Sequence, residues 1–146
     1  MPHIKKEYHI KARDFIHAGE GSIALKNTLK TLGIESDIIR RAAVCAYESE
    51  MNVVMHGGDG TLTLIIDESM ICIEVRDNGP GILNIGLALT EGYSTALDEY
   101  REMGFGAGMG LPNILKHSDS FAIHSLENKG AYLRMCFWMS NSEQAQ

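Results

Sequence analysis

The start of the chain contains two successive hydrophobic patterns with different periods. Polar and apolar residues alternate roughly from His3 to Ala12, and a period of two is typical of a strand. Apolar residues then recur at helical spacing from Asp14 to Leu32, and Gly33 is the residue type that commonly ends a helix. We therefore expect a strand followed by a helix that opens at Asp14.

A second helical pattern follows the sequence IESD and continues to His56, where the sequence GGDG ends it. Ser36 or Asp37 is the predicted N-cap, because short oxygen-bearing side chains satisfy the free N–H groups of a first turn. The period then changes to two over residues 61–67 and 70–77. These two runs, separated by Glu68 and Ser69, predict a β-hairpin.

The second half of the chain is predicted to hold a short helix, a polar irregular segment, another helix and two final strands. Their ranges are 82–89, 90–103, 110–116, 120–127 and 131–139, respectively. This order of strands and helices indicates an α+β fold. We expect a two-layer α/β sandwich, in which helices cover one face of a mixed sheet.

Composition and charge narrow the class of protein. Residues 1–139 are expected to form one domain and residues 140–146 a flexible tail. The 13 basic and 19 acidic residues give a net charge of −6, which argues against a general nucleic-acid binder but not against a nucleotide ligand. No apolar run approaches membrane-spanning length, and no secretory signal is visible at the start. We expect a cytoplasmic protein with no membrane or nucleic-acid partner.

The three cysteines lie inside periodic apolar segments, far apart in sequence: Cys45, Cys72 and Cys136. We expect three reduced and mostly buried thiols. The six histidines form no cluster in the sequence, so a cysteine or histidine metal site is not expected.

The first candidate motif, YESEMNVVMHGG, places Glu48, Asn52 and His56 four residues apart on one face of the second predicted helix. The amide oxygen of Asn52 can ligate Mg²⁺, which prefers oxygen donors, and the Glu48 carboxylate can orient or deprotonate a nucleophile nearby. Glu50 is offset by two positions and is expected to face elsewhere; it is the next candidate base after Glu48. The alternative is a solvated polar face at a helix end.

The second candidate motif is DNGPG, which begins at Asp77 where a predicted strand ends. A carboxylate held there can accept a hydrogen bond from an exocyclic amine such as N6 of adenine. Gly79 and Gly81 would leave room for the flat base. A turn without any function is the alternative, since Asp, Asn, Gly and Pro are ordinary turn residues.

The third candidate motif precedes the predicted helix at residues 110–116 and consists of alternating glycines: Gly104, Gly106, Gly108 and Gly110. Such a run can expose successive N–H groups to phosphate oxygens, assisted by the positive end of the helix. No Gly-Lys-Ser/Thr follows it and no strand precedes it, so it is neither a Walker A loop nor a Rossmann fingerprint. A flexible loop without a ligand is the alternative.

In this order the three motifs resemble the N box, G1 box and G2 box of the GHKL ATP-binding superfamily, which includes gyrase B, Hsp-type chaperones, MutL and histidine kinases. The resemblance covers about residues 4–139. It implies a mainly antiparallel sheet covered by helices, with ATP and Mg²⁺ as ligands. It also implies that Asn52 holds the metal ion, Glu48 accepts the proton of the incoming hydroxyl and Asp77 selects adenine.

A lone domain with EGYST before its glycines looks like the bacterial anti-sigma-factor and switch-protein serine kinases of partner-switching systems. That resemblance implies a serine/threonine protein kinase that phosphorylates a STAS-domain antagonist or scaffold, and in some members also binds a sigma factor. A homodimer is compatible with it. The alternative from another class is a regulatory module that binds ATP without catalysis and whose lid controls partner binding.

Two departures from the resembled pattern stand out. Many relatives carry Gly-Thr before the final strand, where the threonine supports adenine; this chain has Gly130 and Ala131 there and lacks that hydroxyl. Residues 96–103 are polar and acidic and do not match the family residue by residue, although the glycines and residues 90–103 would together form a lid over the phosphates. Arg101 in that lid could reach a phosphate, with a solvated charge as the alternative.

Overall fold

A computed structural model of the chain describes residues 4–81, 110–126 and 128–139. Within these ranges the chain forms five strands and three helices. In chain order they are β1 (Ile4–Ile10), α1 (Glu20–Thr31), α2 (Ser36–His56), β2 (Gly60–Ile66), β3 (Met70–Asp77), α3 (Gly110–His117), β4 (Ser120–Leu126) and β5 (Gly130–Trp138).

The strands form one sheet in the order β1-β2-β3-β5-β4. All four pairings are antiparallel, with β2 and β3 joined as the predicted hairpin and β4 and β5 forming a second one. The predicted α+β sandwich is therefore confirmed. The sequence pattern predicted a mixed sheet, but all strand pairs among the described residues are antiparallel.

The core lies between the sheet and the helices. Alternate residues of the central strands point toward the helices and are fully buried, as Leu64, Ile73 and Met135 illustrate. α1 contributes Leu25 and Leu29 to the same core. Each such side chain contributes about 1.5–3 kcal/mol when it leaves water, so the period-two and helical patterns of the sequence fix which faces meet.

Two predicted helix starts are wrong. Asp14 does not open α1, because its carboxylate accepts a hydrogen bond from the backbone N–H of His17 at 3.2 Å and holds residues 12–19 in turns. The helix begins at Glu20 after Gly19, whose φ is 97°. At the second helix the N-cap is Glu35, without a side-chain cap. The predicted C-terminal glycine, Gly33, does adopt a positive φ, at 71°.

The cysteine prediction is also wrong for two of the three residues. Cys72 and Cys136 form a disulfide, and only Cys45 is a free, buried thiol. The reason is the register of β3 and β5, which places the two cysteines directly opposite one another with their Cα atoms 4.2 Å apart. A sequence separation of 64 residues hid this proximity.

Several predictions lie outside the described residues. They are the helix over 82–89, the irregular segment 90–103 with Arg101, the glycines Gly104, Gly106 and Gly108, and the tail 140–146. Among the residues described, no helix has the length and apolar character needed to cross a membrane.

Candidate functional site

α2 turns one row of side chains, spaced one helical turn apart, toward α3. The row consists of Arg41, Cys45, Glu48 and Asn52. Its neighbours run in the opposite direction along α3: His117, Ile114, Asn113 and Gly110. The two helices therefore pack antiparallel, and the predicted pair Glu48 and Asn52 lies at the end of this contact where α3 begins.

The start of α3 lies directly against that pair. A Cβ atom placed on Gly110 would be 3.3 Å from Oδ1 of Asn52 and 3.6 Å from Oε1 of Glu48. A side chain at residue 110 would thus crowd both polar groups. The fold therefore brings Gly110, the last glycine of the third motif, next to Asn52 of the first motif, although 58 positions separate them in the sequence.

The two carboxylate oxygens of Glu48 have different surroundings. Oε2 accepts a hydrogen bond from Nδ2 of Asn113 at 3.0 Å. Oε1 lies toward Gly110 and Asn52 and has no hydrogen-bond donor within the described parts of the chain. Glu48 is half-buried. One oxygen is therefore held by the protein and the other can accept a proton from a bound group.

Asp77 ends β3 in a tight corner of backbone. Gly79 donates its N–H to Oδ1 of Asp77 at 2.8 Å, which leaves Oδ2 without a donor in the described ranges. A Cβ atom on Gly57, just after α2, would lie 2.9 Å from Cγ of Asp77. A Cβ atom on Gly79 would collide with the backbone of Gly57 and Gly58. These glycines let the end of α2 and the end of β3 approach closely.

The remaining contacts of this corner come from the β4–β5 turn. Gly130 has a φ of 93°, and a Cβ atom there would collide with the backbone carbonyl of Asp77. Asn128 donates its N–H to the carbonyl oxygen of Pro80 at 2.8 Å. Gly81 has a φ of 86°, a conformation that favours glycine. The glycines of the second motif are therefore required by backbone geometry, whatever binds there.

Glu50 occupies a different environment, as its offset from Glu48 predicts. It is buried, with 3% of its surface exposed. Its carboxylate accepts hydrogen bonds from the backbone N–H groups of Gly19, Gly21 and Ser22 at 3.0, 3.4 and 2.9 Å, and from the Ser22 hydroxyl. These donors belong to the first turn of α1, where N–H groups have no partner within the helix. Glu50 caps α1 and is not a candidate base.

Arg13 contacts the C-terminal end of α2, close to His56, and the sequence pattern did not predict this contact. Its backbone N–H and its Nη1 both donate to the carbonyl oxygen of Val54, at 2.9 and 3.0 Å, near the C-terminal end of α2. Burial and, secondarily, the charge of Arg13 lower the pKa of His56 in the last turn of that helix. The imidazole of His56 is therefore neutral near pH 7. No local sequence signal links Arg13 to a helix end 41 residues away.

Cys45 is chemically inert in this structure. Burial raises the pKa of its thiol to about 12; the charge of Arg41 opposes this shift and the smaller contribution of Glu48 adds to it. The protonated thiol donates to the carbonyl oxygen of Ile114 at 3.7 Å. Cys45 thus packs α2 against α3 and does not supply a nucleophile.

A groove runs between α1 and α2 on the outer side of the helical layer, with a volume of about 650 Å³. Its charged and aromatic lining includes Lys26, Lys30, Arg40, Tyr47 and Glu48. Glu48 therefore borders both this groove and the space beside Gly110. The three basic residues stand out in a chain whose net charge is −6.

The comparison with protein families agrees with this geometry. Residues 38–141 match the family model described as "Histidine kinase-, DNA gyrase B-, and HSP90-like ATPase". The chain belongs to this family. Membership implies ATP binding, and the matched range contains Glu48, Asn52, Asp77 and the glycines of the third motif.

Curated relatives narrow the subgroup. The chain is 25% identical over 118 residues to the serine/threonine-protein kinase RsbT of Bacillus subtilis, covering 78% of this chain and 83% of that protein. It is 29% identical over 100 residues to the anti-sigma F factor of Caldanaerobacter subterraneus subsp. tengcongensis, covering 68% of this chain and 62% of that protein. An anti-sigma F factor of Thermoanaerobacter sp. is 27% identical over 108 residues, covering 74% and 68%. The suspected subgroup of kinases and anti-sigma factors is confirmed.

The fold also matches a solved structure. The mycobacterial sensor histidine kinase MprB aligns over 93% of this chain and 98% of that chain, with a TM-score of 0.51 and 14% sequence identity. At this identity the match supports the fold alone.

Proposed function

We propose that this protein is a cytoplasmic ATP-dependent serine/threonine protein kinase of a partner-switching system, acting on a STAS-domain antagonist or scaffold. The observation that carries the proposal is the position of Glu48, which has one carboxylate oxygen held by Asn113 and the other turned toward Asn52 and Gly110. A domain that only binds nucleotide has no need of a carboxylate held in this way. The similarity to a protein named as a serine/threonine-protein kinase points in the same direction.

The residues present fit adenine and magnesium. Oδ2 of the half-buried Asp77, which has no donor among the described residues, can accept the hydrogen bond of an adenine amine while Gly79 holds Oδ1. The amide of Asn52 is a neutral oxygen donor next to Gly110, and such donors suit Mg²⁺. The glycines at 104, 106, 108 and 110 are proposed to bind the phosphates through their N–H groups, together with a lid over residues 90–103.

The chemistry assigned to Glu48 is general base catalysis. Mg-ATP supplies the phosphoryl group that is transferred. Oε1 of Glu48 accepts the proton of the serine or threonine hydroxyl as the new oxygen–phosphorus bond forms and the bond to the ADP leaving group breaks. Since phosphoryl transfer depends mainly on positioning and on charge neutralisation, the protein contributes oriented groups rather than a covalent intermediate.

The groove between α1 and α2 is where we expect the protein substrate to approach. Glu48 lines the groove as well as the space beside Gly110, so a hydroxyl presented from this side can reach the base. Lys26 and Lys30 favour an acidic partner surface, whereas the guanidinium of Arg40 already pairs with the Asp37 carboxylate at 2.7 Å.

A second candidate function is a binding module that uses ATP only to set the affinity for a partner, including a sigma factor. The similarity to proteins named anti-sigma F factors favours this role, alone or beside kinase activity. It requires the nucleotide site but not the base. The two functions therefore differ in what they demand of Glu48.

The experiment that tests the proposal uses ATP labelled at the γ-phosphate, Mg²⁺ and purified STAS-domain proteins from the same genome. Transfer of label by the wild type, slowed about 10²–10⁴-fold in Glu48→Ala while ADP binding persists, supports the kinase. Asn52→Ala should instead lose the magnesium-dependent part of nucleotide affinity. Tight nucleotide-dependent association with a partner, without any transfer, would favour the binding module.

A further inference from the structure

Asn113 lies one turn inside α3, three residues after Gly110, so both residues face α2. Its Nδ2 donates to Oε2 of Glu48 at 3.0 Å, across 65 positions of sequence. Both side chains are half-buried. Among the described residues, no other group donates a hydrogen bond to the Glu48 carboxylate. The sequence pattern assigned no role to Asn113.

We propose that Asn113 is a positioning residue for the general base: its amide fixes the rotation of the Glu48 carboxylate so that Oε1 faces the transferring group. This inference rests on the proposed kinase function. It assigns to α3 two contacts with the proposed site, since the same helix brings Gly110 to Asn52 and Asn113 to Glu48.

Glu48 needs such a partner because the last torsion of a glutamate side chain is only weakly restricted. The terminal torsion of a glutamate side chain is broad, so a carboxylate with no fixed donor samples many orientations. A hydrogen bond to one oxygen selects an orientation and leaves the other oxygen free. Bonds of an amide to a charged group are stronger than neutral ones, which makes this restraint effective in a half-buried site.

A purely structural role for Asn113 makes a different prediction. If the bond only fastened α3 to α2, its loss would displace Gly110 from Asn52 and weaken nucleotide binding. A positioning role leaves nucleotide affinity unchanged and lowers the rate of transfer alone. The contacts of Arg41 with the carbonyl oxygen of His117 at 2.9 Å and of Cys45 with that of Ile114 keep α3 attached without Asn113.

The test compares Asn113→Ala, the nearly isosteric Asn113→Asp and the control Asn27→Ala, which removes an exposed asparagine from α1. We expect Asn113→Ala to bind Mg-ADP as the wild type does and to transfer phosphate with kcat lowered about 10- to 100-fold. Asn113→Asp should lose more, because two carboxylates then repel each other. Asn27→Ala should match the wild type.

A double variant separates positioning from general damage. In a Glu48→Ala background, Asn113→Ala should cause no further loss of kcat, because the group it positions is gone. Multiplicative losses would overturn the inference, as would a fall in Mg-ADP affinity that accounts for the whole rate change. Full transfer by Glu48→Ala would instead overturn the proposed function.

A measurement without catalysis checks the contact itself. The side-chain amide of Asn113 gives its own ¹⁵N–¹H resonances, and Glu48→Ala should shift them by removing the carboxylate acceptor. Resonances that do not move would contradict the inference even if no substrate protein were phosphorylated. The amide resonances of Asn27 serve as the reference.

Discussion

Glu48 and Glu50 are the same residue type two positions apart in α2, yet their surroundings are opposite. Glu48 is half-buried and, among the described residues, receives one side-chain hydrogen bond, on Oε2. Glu50 is 3% exposed and both of its oxygens are occupied, by three backbone N–H groups and a hydroxyl. A carboxylate with every lone pair engaged stabilises the fold, whereas one with a free oxygen can accept a proton.

Asp77 follows the pattern of Glu48. Gly79 holds Oδ1, and Oδ2 is free within the described parts of the chain. Three carboxylates can therefore be sorted by how many of their oxygens the protein satisfies. The two that are half-satisfied within the described residues, Glu48 and Asp77, are the ones proposed to act on ATP, and the satisfied one, Glu50, caps a helix.

The largest effect is expected from Glu48→Gln. Losing a general base commonly costs about 10²–10⁴-fold in rate. Since the amide keeps the shape of the side chain and an oxygen for Asn113, the free energy of unfolding should stay close to that of the wild type. Single-turnover transfer of labelled phosphate measures the rate, and urea unfolding measures the stability. If Glu48→Gln transferred phosphate at the wild-type rate, Glu48 would not be the base, and its free oxygen would not distinguish it functionally from Glu50.

The same substitution two residues later should have the opposite consequence. Glu50→Gln places an amide N–H₂ group among donors, so we expect the free energy of unfolding to fall by about 2–4 kcal/mol. Transfer per folded molecule should stay near the wild-type rate. Urea unfolding of the two glutamine variants side by side is the measurement. Comparable stability of Glu48→Gln and Glu50→Gln would show that the cap on α1 contributes little.

Asp77→Asn extends the comparison to the third carboxylate. The amide oxygen can still accept from Gly79, but an N–H₂ group replaces Oδ2, the acceptor proposed for adenine. We expect ATP affinity to fall about 10-fold, the equivalent of one charge-assisted hydrogen bond, with little change in thermal stability. Calorimetric titration with ATP and magnesium checks this. Wild-type affinity would show that Asp77 does not contact adenine.

The smallest effect, a change of stability with pH, is expected from His56 at the end of α2, the helix that carries Glu48 and Glu50. Burial and Arg13 lower its pKa below the usual 6.5, so below that pH the unfolded chain binds a proton that the folded chain does not. Stability from this group is complete above pH 6.5 and is lost as the pH falls, by no more than about 1.4 kcal/mol per pH unit. Unfolding of wild type and His56→Gln between pH 7.5 and about 5 measures the difference. If the stability difference between wild type and His56→Gln did not change with pH, the lowered pKa of His56 would be contradicted.

The sequence by itself determined the order of elements and the spacing within each helix. Hydrophobic period predicted the strands of both hairpins, because local period decides which face of an element is apolar. The glycines of GGDG marked the end of α2 at His56, and Pro112 marked the first turn of α3 near Gly110. The four-residue spacing of Glu48 and Asn52 likewise placed them on one face. The offset of Glu50 predicted that it would face elsewhere, and the structure confirms this.

Only the tertiary structure decided which groups meet across long stretches of chain. Glu50 caps a helix 31 residues earlier, Arg13 reaches the end of α2 across 41 positions, and Asn113 finds Glu48 across 65. Local pattern contains no information about such partners, since register and helix packing set them. For the same reason α1 begins at Glu20, where a distant carboxylate satisfies its free N–H groups, and not at Asp14, the nearest residue with a capping side chain.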